Sequence, residues 1–192
     1  MAKWNGIVGR SFDALGFDKY VRSLKFTTWR PQFVVLHNTG VPTLAAWHDY
    51  PGKTRMKGLE SYYQGMGWSA GPHLFVADDL IWVFSPLTKP GVHSPSWNAV
   101  SWGVEMVGDY DMEPFSSKVR DNAVDALATL HSVMGLQTSS LRFHREDPKT
   151  THKGCPGKNV DKQYVIQRVH QEIIDRHAGE HDLVRHPWRV DP

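Results

Sequence analysis

The sequence predicts an α/β fold: a single domain spanning residues 1–192, with helices flanking a central mixed β-sheet. Three observations predict it. Short apolar runs of β-type composition interleave with longer stretches whose apolar residues recur at helical spacing. A chain of 192 residues suits one hydrophobic core. Hydrophobic residues make up 40% and charged residues 22%, the balance of an ordinary globule, and no repeat or low-complexity segment suggests another architecture.

Residues 1–31 are mixed, with a short amphipathic stretch over 12–24. The apolar run 32–37 ends in His37-Asn38-Thr39-Gly40 and reads as a buried strand running into a turn. Residues 42–65 read as helical in part, broken at Pro51-Gly52. Two further strands, 72–76 and 80–84, flank a turn at Asp78-Asp79. The fourth strand, 99–107, alternates: Val100, Trp102, Val104 and Met106 share one face, while Ser101, Gly103, Glu105 and Val107 share the other. Residues 117–134 have helical spacing, with Val119, Ala123, Leu127 and Leu130 on one stripe. Ser116 or Ser117 can cap this helix and Gly135 ends it. A second amphipathic helix covers 161–176, and from Ala178 the chain reads as a polar, basic tail containing Arg185 and Arg189.

Bulk properties exclude several classes. A net charge of +2 is too small to indicate nucleic-acid binding. No apolar stretch approaches a membrane span, so stable membrane insertion is not expected. The first residues lack the apolar core and cleavage pattern of a secretory signal, so synthesis in the cytoplasm is expected. The lone cysteine, Cys155, cannot form an internal disulfide; packing, metal binding or nucleophilic chemistry remain.

The strongest local signal is Phe143-His144-Arg145-Glu146-Asp147-Pro148 followed by His152-Lys153-Gly154-Cys155-Pro156-Gly157. It gathers imidazole, ammonium and thiol in one loop. Imidazole and thiolate suit Zn²⁺, and His37, at the end of a core strand, offers a third ligand. Three protein ligands leave a fourth position for water, as catalytic zinc requires. Glu105 lies among Val104, Met106 and Val107, where a carboxylate is costly unless paired or near a cation. Burial raises its pKa and a metal lowers it, which suits proton transfer.

Four segments occur in one order: Val34-Val35-Leu36-His37-Asn38-Thr39, Pro72-His73-Leu74-Phe75-Val76, Trp97-Asn98 through Ser101-Trp102-Gly103-Val104-Glu105-Met106-Val107-Gly108, and His144-Arg145 with Lys153-Gly154-Cys155-Pro156-Gly157. Over about residues 32–175 they resemble the type-2 N-acetylmuramoyl-L-alanine amidases, leaving an extension, 1–31, and a tail, 178–192. That family of zinc amidases includes phage endolysins, cytosolic anhydromuropeptide amidases and peptidoglycan recognition proteins.

The resemblance implies zinc ligands at His37, His144 and Cys155, a catalytic base at Glu105, and a tetrahedral intermediate stabilised by Lys153. The chain departs from the pattern in two places. Some phage members carry a catalytic tyrosine where this chain has Pro72, which leaves the base role to Glu105. His144 and Cys155 stand eleven apart, a longer spacing than in several relatives, so His152 stays open as an alternative ligand although the His-Arg pattern favours His144. His73 and His93 read as pocket-lining or supporting groups; Trp97 and Asn98 read as the rim of a glycan groove, with Trp97 equally suited to the core. Tyr62, Tyr63 and Trp68 read as helix packing.

The implied function is zinc-dependent hydrolysis of the amide between N-acetylmuramic acid and L-alanine in bacterial peptidoglycan. The implied setting is a monomeric phage or prophage endolysin, made in the host cytoplasm and acting on the wall from the periplasm after release. Recycling of soluble anhydromuropeptides would use the same site. A non-catalytic recognition module is the rival, but such relatives typically lose the cysteine that is present here as Cys155. A structural zinc protein would need a fourth ligand, with His73 or His152 available.

Overall fold

The computed structural model describes residues 3–115 and 117–185. Its strands are β1 (Arg10–Phe12), β2 (Phe33–Asn38), β3 (Leu74–Val76), β4 (Ile81–Val83), β5 (Ser101–Met106) and β6 (Arg142–Phe143). Its α-helices are α1 (Ala14–Ser23), α2 (Leu44–Trp47), α3 (Gly52–Gly65), α4 (Ser117–Met134) and α5 (Lys162–Arg185). The strands form one mixed sheet in the order β1-β4-β3-β5-β2-β6. β3, β5, β2 and β6 run parallel, while β1 and β4 add an antiparallel edge.

The alternation expected for the fourth strand sorts the two layers. Trp102, Val104 and Met106 of β5, with Val34 and Leu36 of β2, face a core closed by Phe17 and Val21 of α1, Val124 and Leu127 of α4, and Val165 and Val169 of α5. Phe75, Trp82, Phe84 and Val107 pack on the opposite face against Trp47 of α2 and Met56 and Tyr63 of α3. Fully burying one such side chain is worth about 1.5–3 kcal/mol. The sheet is thus covered on both faces, as a parallel core requires. Asp13 caps α1, its Oδ1 accepting from the Gly16 N–H at 2.7 Å.

Three features differ from the sequence expectation. β1 and β6 are three and two residues long, too short to show a period in sequence. α5 continues to Arg185, through much of the stretch read as a tail, because no proline interrupts the chain before Pro187. Arg176 anchors that helix: its guanidinium donates to Asp125 at 2.6 Å, Glu172 at 2.7 Å and Thr129 at 2.9 Å. The cap expected at Ser116 lies outside the described residues. No described helix is long and apolar enough to cross a membrane.

Candidate metal centre

The sheet register assembles the site. β2 and β5 pair in parallel with His37 opposite Glu105, so the two side chains share a face at the same height. β6 pairs with β2 through Leu36 opposite Phe143, which delivers His144 beside His37 as the chain leaves the sheet. His144 opens a short 3₁₀ turn, His144–Glu146. Glu146 accepts from the Phe143 N–H at 2.5 Å and from the Lys162 ammonium at 2.7 Å, tying the turn back to the start of α5. The loop then returns Cys155, whose carbonyl accepts from the Arg145 N–H at 3.0 Å. One ligand atom each from His37, His144 and Cys155 lies within 4.8 Å of the other two. His37 and His144 sit at the carboxyl ends of the parallel strands β2 and β6, where α/β sheets form crevices, and the loop brings Cys155 to them.

Neighbouring groups orient the two imidazoles. His37 Nε2 meets His93 Nδ1 at 3.1 Å, and His93 Nε2 donates to the Ser101 carbonyl at 3.3 Å. That order of donors leaves His37 Nδ1 with its lone pair free, 3.8 Å from Glu105 Oε1. His144 Nε2 meets the Thr150 hydroxyl at 2.9 Å, which leaves its Nδ1 free as well. Asp147 joins the two supporting loops: its carboxylate accepts from the Ser94 hydroxyl at 2.5 Å, the Ser96 N–H at 2.9 Å and the Lys149 N–H at 2.8 Å. Burial pushes the Asp147 pKa up, but those hydrogen bonds outweigh it and hold the group down to about 2.

The electrostatics fit a cation. Burial, then the neighbouring His93 and His144, keeps His37 neutral by lowering its pKa well below the ordinary value. Burial and His152 lower His144 to about 4, so it too presents a lone pair. Burial and the Glu105 carboxylate push the Cys155 thiol up, so a thiolate there needs a compensating positive charge. Burial raises Glu105 to about 8, and its Oε2 is buried without a hydrogen-bond partner. Two neutral imidazoles and a thiol that only a cation would ionise, beside an unpaired buried carboxyl, match the donor chemistry of zinc.

The centre floors a cleft of about 960 Å³. Arg55, Leu59, Tyr62 and Tyr63 of α3 line it, with Met66 just past the helix, as do Asp109, Asp111 and His152. Of the two histidines left open by the sequence, His144 supplies the converging atom; His152 stacks on its ring at 5.5 Å. Lys153 is exposed and does not line the cleft, though its charge reaches His144.

Three residues expected at the substrate wall stand elsewhere. His73 is fully buried behind the centre: its Nε2 donates to the Lys89 carbonyl at 3.0 Å, its Nδ1 accepts from the Gly103 N–H at 3.0 Å, and Trp29 stacks on it at 5.7 Å. With both nitrogens engaged, it has nothing left to offer a substrate. Trp97 packs edge-on against Phe33 at 5.5 Å and is absent from the cleft wall. Asn98 Oδ1 accepts from the His93 and Ser94 N–H groups at 2.7 Å each, shaping the loop that holds His93. His93 lines the cleft and also supports His37. Sequence reasoning missed Thr150 and the bracing role of Asp147. Asp147 was in view in the His144 motif, whereas Thr150 carries no sequence signal.

Fold and site together define a mixed-sheet domain with a candidate metal site in a cleft over the parallel strand ends. Residues 27–158 match the family model described as N-acetylmuramoyl-L-alanine amidase, and the chain belongs to that family. No curated protein matches it. Among solved structures, it is similar to the N-acetylmuramoyl-L-alanine amidase LysC from Clostridium intestinale, at 20% identity and TM-score 0.62, covering 74% of this chain and 87% of that one. It is similar to the Ph2119 endolysin of a Thermus scotoductus bacteriophage, at 21% identity and TM-score 0.56, covering 80% and 96%. It is also similar to Drosophila PGRP-LB, at 21% identity and TM-score 0.58, covering 72% and 81%. At these identities the likeness is one of fold.

Proposed function

We propose that this protein is a zinc-dependent hydrolase of the amide between N-acetylmuramic acid and L-alanine in bacterial peptidoglycan. The observation that carries the reading is the convergence of His37, His144 and Cys155 beside the buried carboxyl of Glu105 in an open cleft. His37 and His144 would hold zinc through Nδ1 and Cys155 through Sγ. When bound, the metal supplies Lewis acidity toward the scissile carbonyl and the attacking water.

The chain's own groups supply the rest. Glu105, with one oxygen buried and unpartnered, accepts the proton of the attacking water. The water oxygen bonds the lactyl carbonyl carbon, the C–N bond breaks, and Glu105 passes its proton to the departing alanine nitrogen. Lys153, exposed on the Cys155 loop, is the mobile cation that reaches the oxyanion when substrate fills the cleft. Cys155 serves as ligand rather than nucleophile, since its environment disfavours a free thiolate.

The endolysin neighbours support a lytic setting: synthesis in a host cytoplasm, then action on the wall from the periplasm. The test incubates purified protein with intact sacculi and with soluble muropeptides and follows new L-alanine amino termini. Release from sacculi supports the lytic amidase; release from soluble fragments alone supports recycling; binding without release contradicts hydrolysis.

A further inference from the structure

Tyr63 lies on α3, over the face of the sheet that carries Glu105. Phe75, the register partner of Glu105 on β3, meets Phe84 edge-on at 5.4 Å, and Phe84 meets Tyr63 at 5.6 Å. Trp68 stacks on the tyrosine ring at 5.2 Å and 18°. A Cβ at Gly71 would come within 3.0 Å of that ring, so the glycine keeps its seat open. The ring is therefore fixed by neighbours on several sides, with 9% of the residue exposed.

Its hydroxyl is a different matter. Tyr63 lines the cleft together with Glu105, His37 and His144. The Tyr110 hydroxyl is satisfied by the Val107 carbonyl at 2.9 Å, but no described residue hydrogen-bonds the Tyr63 oxygen. Its oxygen stays in contact with solvent at the cleft rather than sealed in the core, free to meet a substrate group. Burial and the nearby Glu105 carboxylate push its pKa well up, so it remains a neutral O–H donor.

We infer that Tyr63 is a further catalytic residue whose hydroxyl donates a hydrogen bond to the scissile carbonyl oxygen as negative charge develops there. The inference rests on the amidase reading of the same cleft. Lys153 must be drawn in from solvent, whereas Tyr63 is held in place before substrate arrives. A preorganised donor costs no reorganisation at the moment of reaction, and losing one lowers kcat roughly 10²–10³-fold.

The test compares wild type with Tyr63→Phe, and with Tyr20→Phe as a control remote from the cleft, on a soluble muramoyl-L-alanine peptide. Zinc content and thermal midpoint are measured on each. The expected result is a fall in kcat of roughly 10²–10³-fold for Tyr63→Phe, with KM within about twofold and zinc and midpoint unchanged. A Tyr63→Phe enzyme within about threefold of wild type in kcat/KM overturns this role alone. So does a kcat loss accompanied by lost zinc or a lower midpoint, which would make Tyr63 structural. An inert wild-type chain overturns the amidase reading, and this role with it.

Discussion

Glu105 and His37 are register partners on adjacent parallel strands, and the carboxyl Oε1 stands 3.8 Å from the imidazole Nδ1. The pairing gives the carboxyl a place beside the proposed metal ligands without making it one of them. Glu105→Gln keeps the shape, removes the base, and leaves His37, His144 and Cys155 untouched. Activity is expected to fall roughly 10²–10⁴-fold while bound zinc stays at the wild-type level. Parallel kinetics and metal analysis check both halves.

His93 would act on a bound metal through His37, and Gly103 gives it room. A Cβ at position 103 would stand 2.3 Å from the His93 ring, so Gly103→Ala displaces the imidazole that orients His37. His93→Ala and Gly103→Ala are each expected to weaken zinc binding roughly 10–100-fold. Competition with a chelating indicator measures this directly, and unchanged affinity in both variants would remove the supporting role.

His73 makes an acid-stability prediction. Burial lowers its folded-state pKa to about 4, against an ordinary value of 6.5. Between those values the unfolded chain binds a proton that the folded chain refuses, so stability is intact above pH 6.5 and declines as pH falls toward 4. The loss attributable to this residue is about 3 kcal/mol. Urea unfolding of metal-free protein across that range, beside His73→Gln, isolates it; the variant should show the shallower decline.

Arg176 ties α5 to α4 through Asp125 and Thr129, and approaches Asp18 of α1 at 3.7 Å. Removing the guanidinium takes that partner from Asp125 and Glu172, while Asp18 keeps Arg22 at 2.7 Å. Arg176→Ala is expected to cost on the order of 2 kcal/mol in stability, read as a lower thermal midpoint, with kcat unchanged below the transition.

Much of this was legible from sequence because the relevant signals are local. The alternation of β5 puts Glu105 on a defined face, the apolar run of β2 puts His37 at the end of a core strand, and the Cys155 loop announces itself by composition. β1 and β6 are too short to carry a period. His73 shows the limit for side chains: a histidine beside a strand looks like a pocket group until the Lys89 carbonyl and Gly103 amide are seen to occupy it. Tyr63 shows the reverse. Its cluster with Tyr62 and Trp68 suggests helix packing, and only the tertiary structure shows it on the wall of the Glu105 cleft. Both depend on contacts distant in sequence, which composition and spacing do not encode.

The most direct test is zinc stoichiometry measured on the same preparation whose release of alanine amino termini from sacculi is followed through chelation and zinc replacement. The expected result is about one zinc per chain, as a single three-ligand centre implies, with activity abolished by chelation and restored by zinc. Hydrolysis that continues undiminished in a preparation stripped of metal would contradict the account.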